Sequence, residues 1–293
     1  MELSIILVNY NDRKHVGECL SSLQKNMPPF EQEILVVDNH STDGSPEWIA
    51  GSFPDVRLIS NAENLGFARA NNLGVWESRG EYLLFLNTDS VVPPGALAAL
   101  VDCLKSDAAA GAAGPALLRH RHSFQVSFGR RVDFFAQFRQ KLMLNPYHRL
   151  MLKRATKIRK TGWLSAACLL CRRRAFEEAG GFDENFFLYF EDIDLCVRMR
   201  KAGWKLIYVP HVRVFHEGGA TTIPRRAASR FEYRKSQLYF YQKHNSRISL
   251  KLLRWYLRLN FQWLAARGAF RGEEGSLLRE KYGRLLRQEG RGR

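Results

Sequence analysis

Residues 186–200 read FFLYFEDIDLCVRMR, an aromatic run followed by Glu191, Asp192 and Asp194 and then a basic, helix-like segment. Acidic side chains are favoured in a first helical turn, so these carboxylates fit a solvated helix start. One of them would equally fit a general base that takes a proton from a substrate hydroxyl. Two more carboxylates follow short apolar runs: Asp38 after EILVV, and Asp89 in NTD after YLLFL. Ligands of open α/β sheets bind beyond the carboxyl ends of the strands, and both aspartates fall at such ends. Which role the acidic segment takes depends on what the rest of the chain places beside it.

The elements that must position these groups are legible as alternating patterns. Leu3 to Val8, Glu33 to Val37, Val56 to Ile59 and Tyr82 to Leu86 are short apolar runs expected to form buried strands. Helical patterns lie between them at residues 15–25, 46–50 and 67–78, and another runs from Pro93-Pro94-Gly95 to about Leu104. Strands alternating with helices over some 110 residues predict a doubly wound α/β sheet. Trp163 to Cys171 returns to an apolar pattern, FEEAGG reads as a helix end and glycine turn, Asp192 to Ala202 is helical, and Trp204 to Pro210 is a further strand. The glycine spacings GxGxxG and GxxxxGK[ST] are absent, which argues against a dinucleotide fold or a P-loop.

Composition narrows the class further. The 293 residues suffice for one large α/β domain with appendages. Five cysteines, with one CxxC at Cys168 and Cys171, suggest buried thiols rather than a disulfide framework or a zinc site. The start, MELSIILVNY, lacks the basic region and long apolar segment of a signal peptide, and no run of 18 residues is apolar without a charge. A reducing, cytoplasmic setting is the expectation. The net charge of +16 is unevenly spread: residues 1–118 carry 7 Lys/Arg against 15 Asp/Glu, residues 119–174 carry 15 against 1, and residues 221–293 carry 18 against 5. Such basic regions suit nucleic acid, anionic lipid or phosphorylated substrates, and no nucleic-acid module accompanies them.

Taken in order, LSIILVNYN, ILVVDNHSTDGS, NAENLGFARANNLG, YLLFLNTDS, GWLSAACLLCRRRAFEEAGGFDENFFLYFEDIDLCVRMRKAGWKLIYVP and VFHEGG resemble the inverting nucleotide-sugar glycosyltransferases of family 2, in particular their bacterial rhamnosyltransferase-like branch. The resemblance covers roughly residues 3–219 and implies a GT-A fold with a mostly parallel central sheet flanked by helices. A GT-A domain is expected over 1–220, with a nucleotide-binding half to about 118, a basic insertion at about 119–160 and an acceptor half at about 161–220. A basic helical extension follows over 221–293.

The resemblance also implies roles. Asp38, with Asn39 beside it, resembles the carboxylate that hydrogen-bonds the pyrimidine of a dTDP- or UDP-linked donor. Asn64, Gly66 and Arg69 fall in the nucleotide-side loop and its helix, Arg69 facing either phosphate or surface; Asn71 and Asn72 fall in the same segment, where either also fits a plain helix-surface amide. Asp89 resembles the last residue of the DXD motif that holds Mg²⁺ or Mn²⁺ against the diphosphate. Asn87 stands in place of the first aspartate, where a neutral amide suits ribose or a metal-bound water and predicts weaker metal affinity. His216 in VFHEGG resembles the histidine that completes the metal shell, with Glu217 as a lesser candidate. Of the ED pair, Asp192 is the implied general base with Glu191 next in line, while Asp194 is expected to be structural or solvent-facing. Trp163, Ser165 and Ala166 match the acceptor-side segment, in which Ala166 replaces a glycine and is expected to narrow the pocket or alter a backbone dihedral.

In the tail, SLKLLRWYLRLNFQWL (249–264) places Lys251, Arg254 and Arg258 on one helical face among leucines and aromatics. That pattern suits a helix lying on an anionic membrane; the alternative is a helix docked on the core or on a second copy in a homodimer. A polyprenyl-diphosphate-linked or polysaccharide acceptor, reached from the inner face of the cell membrane, fits these basic regions.

Overall fold

Four apolar runs pair side by side to begin the sheet. In the computed structural model, which describes residues 1–119, 123–133, 157–218, 226–266 and 272–287, β1 (Leu3–Asn9) lies parallel between β2 (Gln32–Asp38) and β4 (Tyr82–Asn87), and β3 (Val56–Ser60) joins the outer edge of β2. The crossovers run through α1 (Arg13–Lys25), α2 (Ser45–Ser52) and α3 (Gly66–Trp76). Alternation along β1 sends Leu3, Ile5 and Leu7 to a core shared with Val16, Leu20 and Leu23 of α1, and Ile6 to the opposite core with Ala68 and Val75 of α3. Each face of the sheet is therefore covered, as continuous apolar strands require.

The sheet continues through β5 (Ser90–Val91), α4 (Ala96–Lys105) and β6 (Ala110–Arg119). Next come the short strands β7 (Ser123–Gln125), β8 (Phe128–Gly129), β9 (Arg159–Thr161) and β10 (Trp163–Leu164), then β11 (Cys168–Arg172). The helices α5 (Arg173–Glu178) and α6 (Glu191–Lys201) precede the long β12 (Lys205–His216). The order is β3-β2-β1-β4-β11-β6-β12-β5, with β11 antiparallel to both β4 and β6, and β6 parallel to β12. One sheet thus runs through both expected halves. The greater part of the 119–160 insertion lies outside the described residues.

The tail forms α7 (Arg226–His244), α8 (Arg247–Ala266) and α9 (Gly272–Arg287). Leu238, Phe240 and Tyr241 of α7, Leu253 and Leu257 of α8, and Leu286 of α9 bury against Phe186 and Phe190 of the aromatic run. Ile248, Trp255, Leu259 and Trp263 of α8 are 69%, 61%, 45% and 52% exposed. The helix therefore docks one face and leaves an aromatic stripe on another. Among the described residues no helix is long and apolar enough to cross a membrane. Cys168 and Cys171 are buried free thiols, as expected.

Candidate active site

The ends of β1 and β2 meet in register at Asn9 and Asp38. Asn9 Nδ2 donates to Asp38 Oδ1 at 2.7 Å and the Ser41 N–H to Oδ2 at 2.9 Å, so the buried carboxylate is held from both sides. Asn39 is equally fixed: its Nδ2 donates to the Gly66 carbonyl at 3.1 Å, and its Oδ1 accepts from Asn61 Nδ2 at 2.9 Å. Asn64 Oδ1 accepts the Gly66 N–H at 2.9 Å. Gly66 has φ +79°, a left-handed conformation glycine adopts without cost. A Cβ there would lie 2.5 Å from the Phe187 carbonyl oxygen, which already accepts the Phe67 N–H at 2.7 Å. The loop expected on the nucleotide side is thus clamped to the aromatic run before Glu191.

Arg69 stands apart from this buried set. It is 57% exposed with Nε 3.9 Å from Glu184, which favours the surface reading of its two expected roles. Asn71 is not a surface amide: it is buried with Nδ2 on the Phe67 carbonyl, while the half-buried Asn72 exchanges hydrogen bonds with the Phe182 backbone at 2.9 Å each. Their role is to fasten α3 to the turn that leads into the aromatic run.

At the end of β4, Asn87, Asp89 and His216 converge. His216 Nε2 lies 3.1 Å from Asp89 Oδ1 and 3.1 Å from Asn87 Nδ2, while its Nδ1 faces Gln125 Oε1 at 2.8 Å. The N–H of Gly218 donates to Asp89 Oδ2 at 3.0 Å. Among the described residues no three His, Cys, Asp or Glu side chains gather as a complete metal cage. A carboxylate oxygen and an imidazole nitrogen held this close nevertheless form a partial donor set that suits Mn²⁺, with phosphate oxygens as the natural remaining ligands. Glu217 turns instead to His15 Nε2 at 3.3 Å, and the other nitrogen of His15 pairs with Asp12.

The acidic segment opens α6, and its approach is strained. Tyr189 and Phe190 both have positive φ, +71° and +69°, which costs on the order of 1–2 kcal/mol per non-glycine residue. Burial of Phe186 and Phe190 beneath the tail holds the segment in this shape. Asp192 Oδ2 accepts the Ala166 N–H at 3.1 Å, and Oδ1 accepts the Ile193 N–H at 2.8 Å. Burial raises the pKa of Asp192, and those two N–H groups partly offset the rise. Glu191 is pushed well above the carboxylate range by burial and then by the neighbouring Asp192 charge, and its Oε2 has no hydrogen-bond partner. Burial thus disfavours the charged form of Glu191, while two backbone N–H groups support charge on Asp192.

Ala166 does not have positive φ, so its methyl group forces no change of dihedral, and it packs in the core. Ser165 is anchored through its N–H to the Ser127 carbonyl at 2.8 Å, and Trp163 packs its indole against Gly129. The Ala167 carbonyl accepts the Asn87 N–H at 3.1 Å, which joins the acceptor-side segment to the Asn87–Asp89–His216 group.

Asp194 is fully buried, not solvent-facing. Its Oδ1 meets His244 Nε2 at 2.5 Å and Lys243 Nζ at 2.8 Å, and its Oδ2 accepts a hydrogen bond from Arg198 Nε at 2.7 Å, with Nη2 in ion-pair contact. Burial opposes the charge, but His244, Lys243 and Arg198 hold the Asp194 pKa below its ordinary value. Lys243 also reaches Asp183 Oδ2 at 2.6 Å. The end of α7 therefore clamps α6 from behind. Sequence reasoning missed these partners, and with them Asn9, Phe187 and Gln125, because each acts on a group far away in the chain.

A sheet of this order, with acidic side chains at the ends of β2 and β4 and a third opening α6, has the GT-A architecture of nucleotide-sugar transferases. A mannosyltransferase from Pyrobaculum calidifontis, solved with GDP-Man and Mn²⁺, superposes with a TM-score of 0.62 at 20% identity over 98% of this chain and 81% of that one. The chain belongs to glycosyl transferase family 2, whose model matches residues 4–180. It is 32% identical over 277 residues to an N-acetylglucosaminyl-diphospho-decaprenol L-rhamnosyltransferase of Mycobacterium tuberculosis, covering 87% of this chain and 89% of that protein. It is 25% identical over 274 residues to the rhamnosyltransferase WbbL of Escherichia coli, covering 89% and 92% respectively. The protein is accordingly a glycosyltransferase of the hexosyltransferase type.

Proposed function

We propose that the protein transfers L-rhamnose from dTDP-L-rhamnose, with inversion, to a polyprenyl-diphosphate-linked or growing cell-envelope glycan. Asp192 accepts the proton of the acceptor hydroxyl as that oxygen attacks C1 of the donor sugar. The new C1–O bond forms on the face opposite the bond to diphosphate, which breaks with its electron pair going to the nucleoside diphosphate. No covalent enzyme intermediate is needed. Asp38 accepts the N3–H of the pyrimidine, and the Asn39–Asn64–Gly66 loop shapes the nucleotide side. Asp89 and His216 would hold the divalent cation, which when bound neutralises charge on the departing diphosphate. Glu191, whose charged form burial disfavours, is the lesser candidate for that base.

The observation that carries this reading is the backbone-held carboxylate of Asp192 at the acceptor-side segment, together with a separate Asp89–His216 pair. Similarity along nearly the whole chain to two proteins named rhamnosyltransferases favours rhamnose. Asp38 itself favours a second donor class equally, because thymine and uracil offer the same N3–H; a UDP-hexose or UDP-N-acetylhexosamine is that alternative. The non-catalytic alternative is a scaffold subunit of the same fold, for which the one supporting feature is Asn87. We place the protein on the inner face of the cell membrane through α8: Ile248, Trp255 and Leu259 project within about 40° of one another at 100° per residue, beside the exposed Lys251 and Arg258.

Calorimetric titration with dTDP, UDP, GDP and CDP, each with and without Mn²⁺, tests the donor assignment. Metal-enhanced dTDP binding, followed by dTDP release from dTDP-L-rhamnose on addition of a lipid-diphosphate acceptor, is expected. Selective binding of UDP would move the assignment to the second class, and folded protein that binds none of the four would favour the scaffold.

A further inference from the structure

Both ring nitrogens of His216 are engaged, and the partners decide where its proton lies. Nδ1 faces the amide oxygen of Gln125 at 2.8 Å, and an amide oxygen only accepts, so Nδ1 carries the hydrogen. Nε2 lies 3.1 Å from the Asn87 amide nitrogen, which only donates, and equally 3.1 Å from Asp89 Oδ1, which only accepts. The Gln125 contact alone therefore fixes a ring hydrogen, at Nδ1. With the hydrogen there, the Nε2 lone pair of the neutral ring is available to a cation shared with Asp89 Oδ1.

Gln125 reaches the ring through the sheet. β7 pairs antiparallel with β6, opposing Gln125 to Leu117, and the next residue of β6, Leu118, opposes Phe215 of β12. The residue before His216 is thus fixed against the residue after Gln125's own partner. Gln125 comes from the 119–160 segment, whose many arginines suggest charge rather than site chemistry.

We propose that Gln125 is the positioning residue of the cation site: it holds the Nδ1–H tautomer of His216 and so directs Nε2 toward the place beside Asp89 where a divalent cation is bound. Asn87 has the complementary part. Its amide caps Nε2 when no cation is present and releases it when one enters, which gives a direct reason for cation affinity to be modest. The proposal rests on the cation reading of Asp89 and His216 given above, and adds the residue on which their geometry depends.

The test reads cation binding alone, without turnover. Mn²⁺ is titrated into the full-length protein with dTDP or UDP, and free Mn²⁺ is followed by electron paramagnetic resonance. Gln125→Leu removes the acceptor and is expected to weaken Mn²⁺ binding by about 10–100-fold, the range for loss of a hydrogen-bond partner behind a metal-bound histidine. It should also lower the preference for Mn²⁺ over Mg²⁺, because the imidazole is the ligand that favours Mn²⁺. Gln125→Glu keeps an acceptor on Nδ1–H and should bind Mn²⁺ at least as tightly as the wild type, which a merely structural role for Gln125 would not produce. Adding Gln125→Leu to His216→Ala should cost nothing further. Wild-type affinity in Gln125→Leu, or full additivity in the double variant, would overturn the proposal while leaving the cation site intact. Wild-type protein that binds nucleotide but no Mn²⁺ would overturn both.

Discussion

Replacing Gly66 by alanine tests whether the nucleotide-side loop and the segment carrying Asp192 form one unit. The backbone at Gly66 has φ +79°, a conformation that costs an alanine about 1–2 kcal/mol. The new methyl carbon would lie 2.5 Å from the Phe187 carbonyl oxygen and 2.6 Å from Phe187 Cδ2. That oxygen cannot simply retreat, because it accepts the Phe67 N–H at 2.7 Å; losing this hydrogen bond costs about 1 kcal/mol more. The expected destabilisation is about 2–3 kcal/mol, the sum of these two terms. Alternatively the strain is relieved by a shift of residues 186–190, which carry the start of α6 and hence Asp192. A displacement of that kind costs on the order of 100-fold in turnover. Thermal unfolding and steady-state transfer assays on Gly66→Ala read both routes. Gly51→Ala is the control, since Gly51 lies in α2 with no neighbour within 4 Å of an added Cβ. Should Gly66→Ala match Gly51→Ala in both melting temperature and turnover, the coupling of loop to aromatic run is wrong.

Asp194→Ala leaves Arg198, Lys243 and His244 without their shared buried partner, and breaking such a group costs roughly 3–5 kcal/mol, a drop on the order of 10 °C in Tm. Acid should loosen the same clamp gradually. Burial raises the Asp183 pKa, but hydrogen bonds from Lys243 and Asn185 outweigh it and set the value at about 2; Asp194 is lowered likewise. Groups with depressed folded pKa values contribute stability above their unfolded value, about 4, and lose it as pH falls through the folded one. Melting temperature should therefore fall between about pH 4 and pH 2, and less steeply in Asp194→Ala. On the exposed stripe of α8, Trp255→Ser with Trp263→Ser should abolish sedimentation with anionic vesicles while leaving nucleotide binding unchanged; unchanged sedimentation would assign that stripe to a protein partner.

The strands that carry the site were legible because each is a short run of large apolar residues, as in β1, β2 and β4. β6 was not. Its sequence, AGAAGPALLR, is small-residue and proline-containing, the opposite of a strand signature. The small residues are there for close packing: a Cβ at Gly111 would meet Trp204 at 2.7 Å, and one at Gly114 would meet Leu164 at 2.9 Å. Pro115 is accommodated where β12 shifts register, between Val209 and Arg213. Tertiary contacts thus favour residues that local propensity disfavours.

The carboxylates of the site were legible from their places at strand ends and at a helix start. Their partners were not, because amide and cation roles arise from register and packing. Asn9 matters since it stands opposite Asp38 across two strands, and Asp194 is buried since α7 covers it from some 50 residues away. For the tail the pattern alone could not divide docking from membrane contact. The fold gives the helix both faces, with Leu253 and Leu257 inward and Trp255 and Trp263 outward.

Asp192→Asn isolates the removal of the acceptor-hydroxyl proton by Asp192. Asparagine keeps the size of the side chain and an oxygen for the Ala166 or Ile193 N–H, but it cannot take up a proton. Sugar transfer from dTDP-L-rhamnose should fall by about 10²–10⁴-fold, the usual contribution of a general base, with dTDP affinity within about twofold of wild type, since no donor contact is removed. Turnover near that of the wild type in a folded, dTDP-binding Asp192→Asn protein would show that Asp192 is not the base.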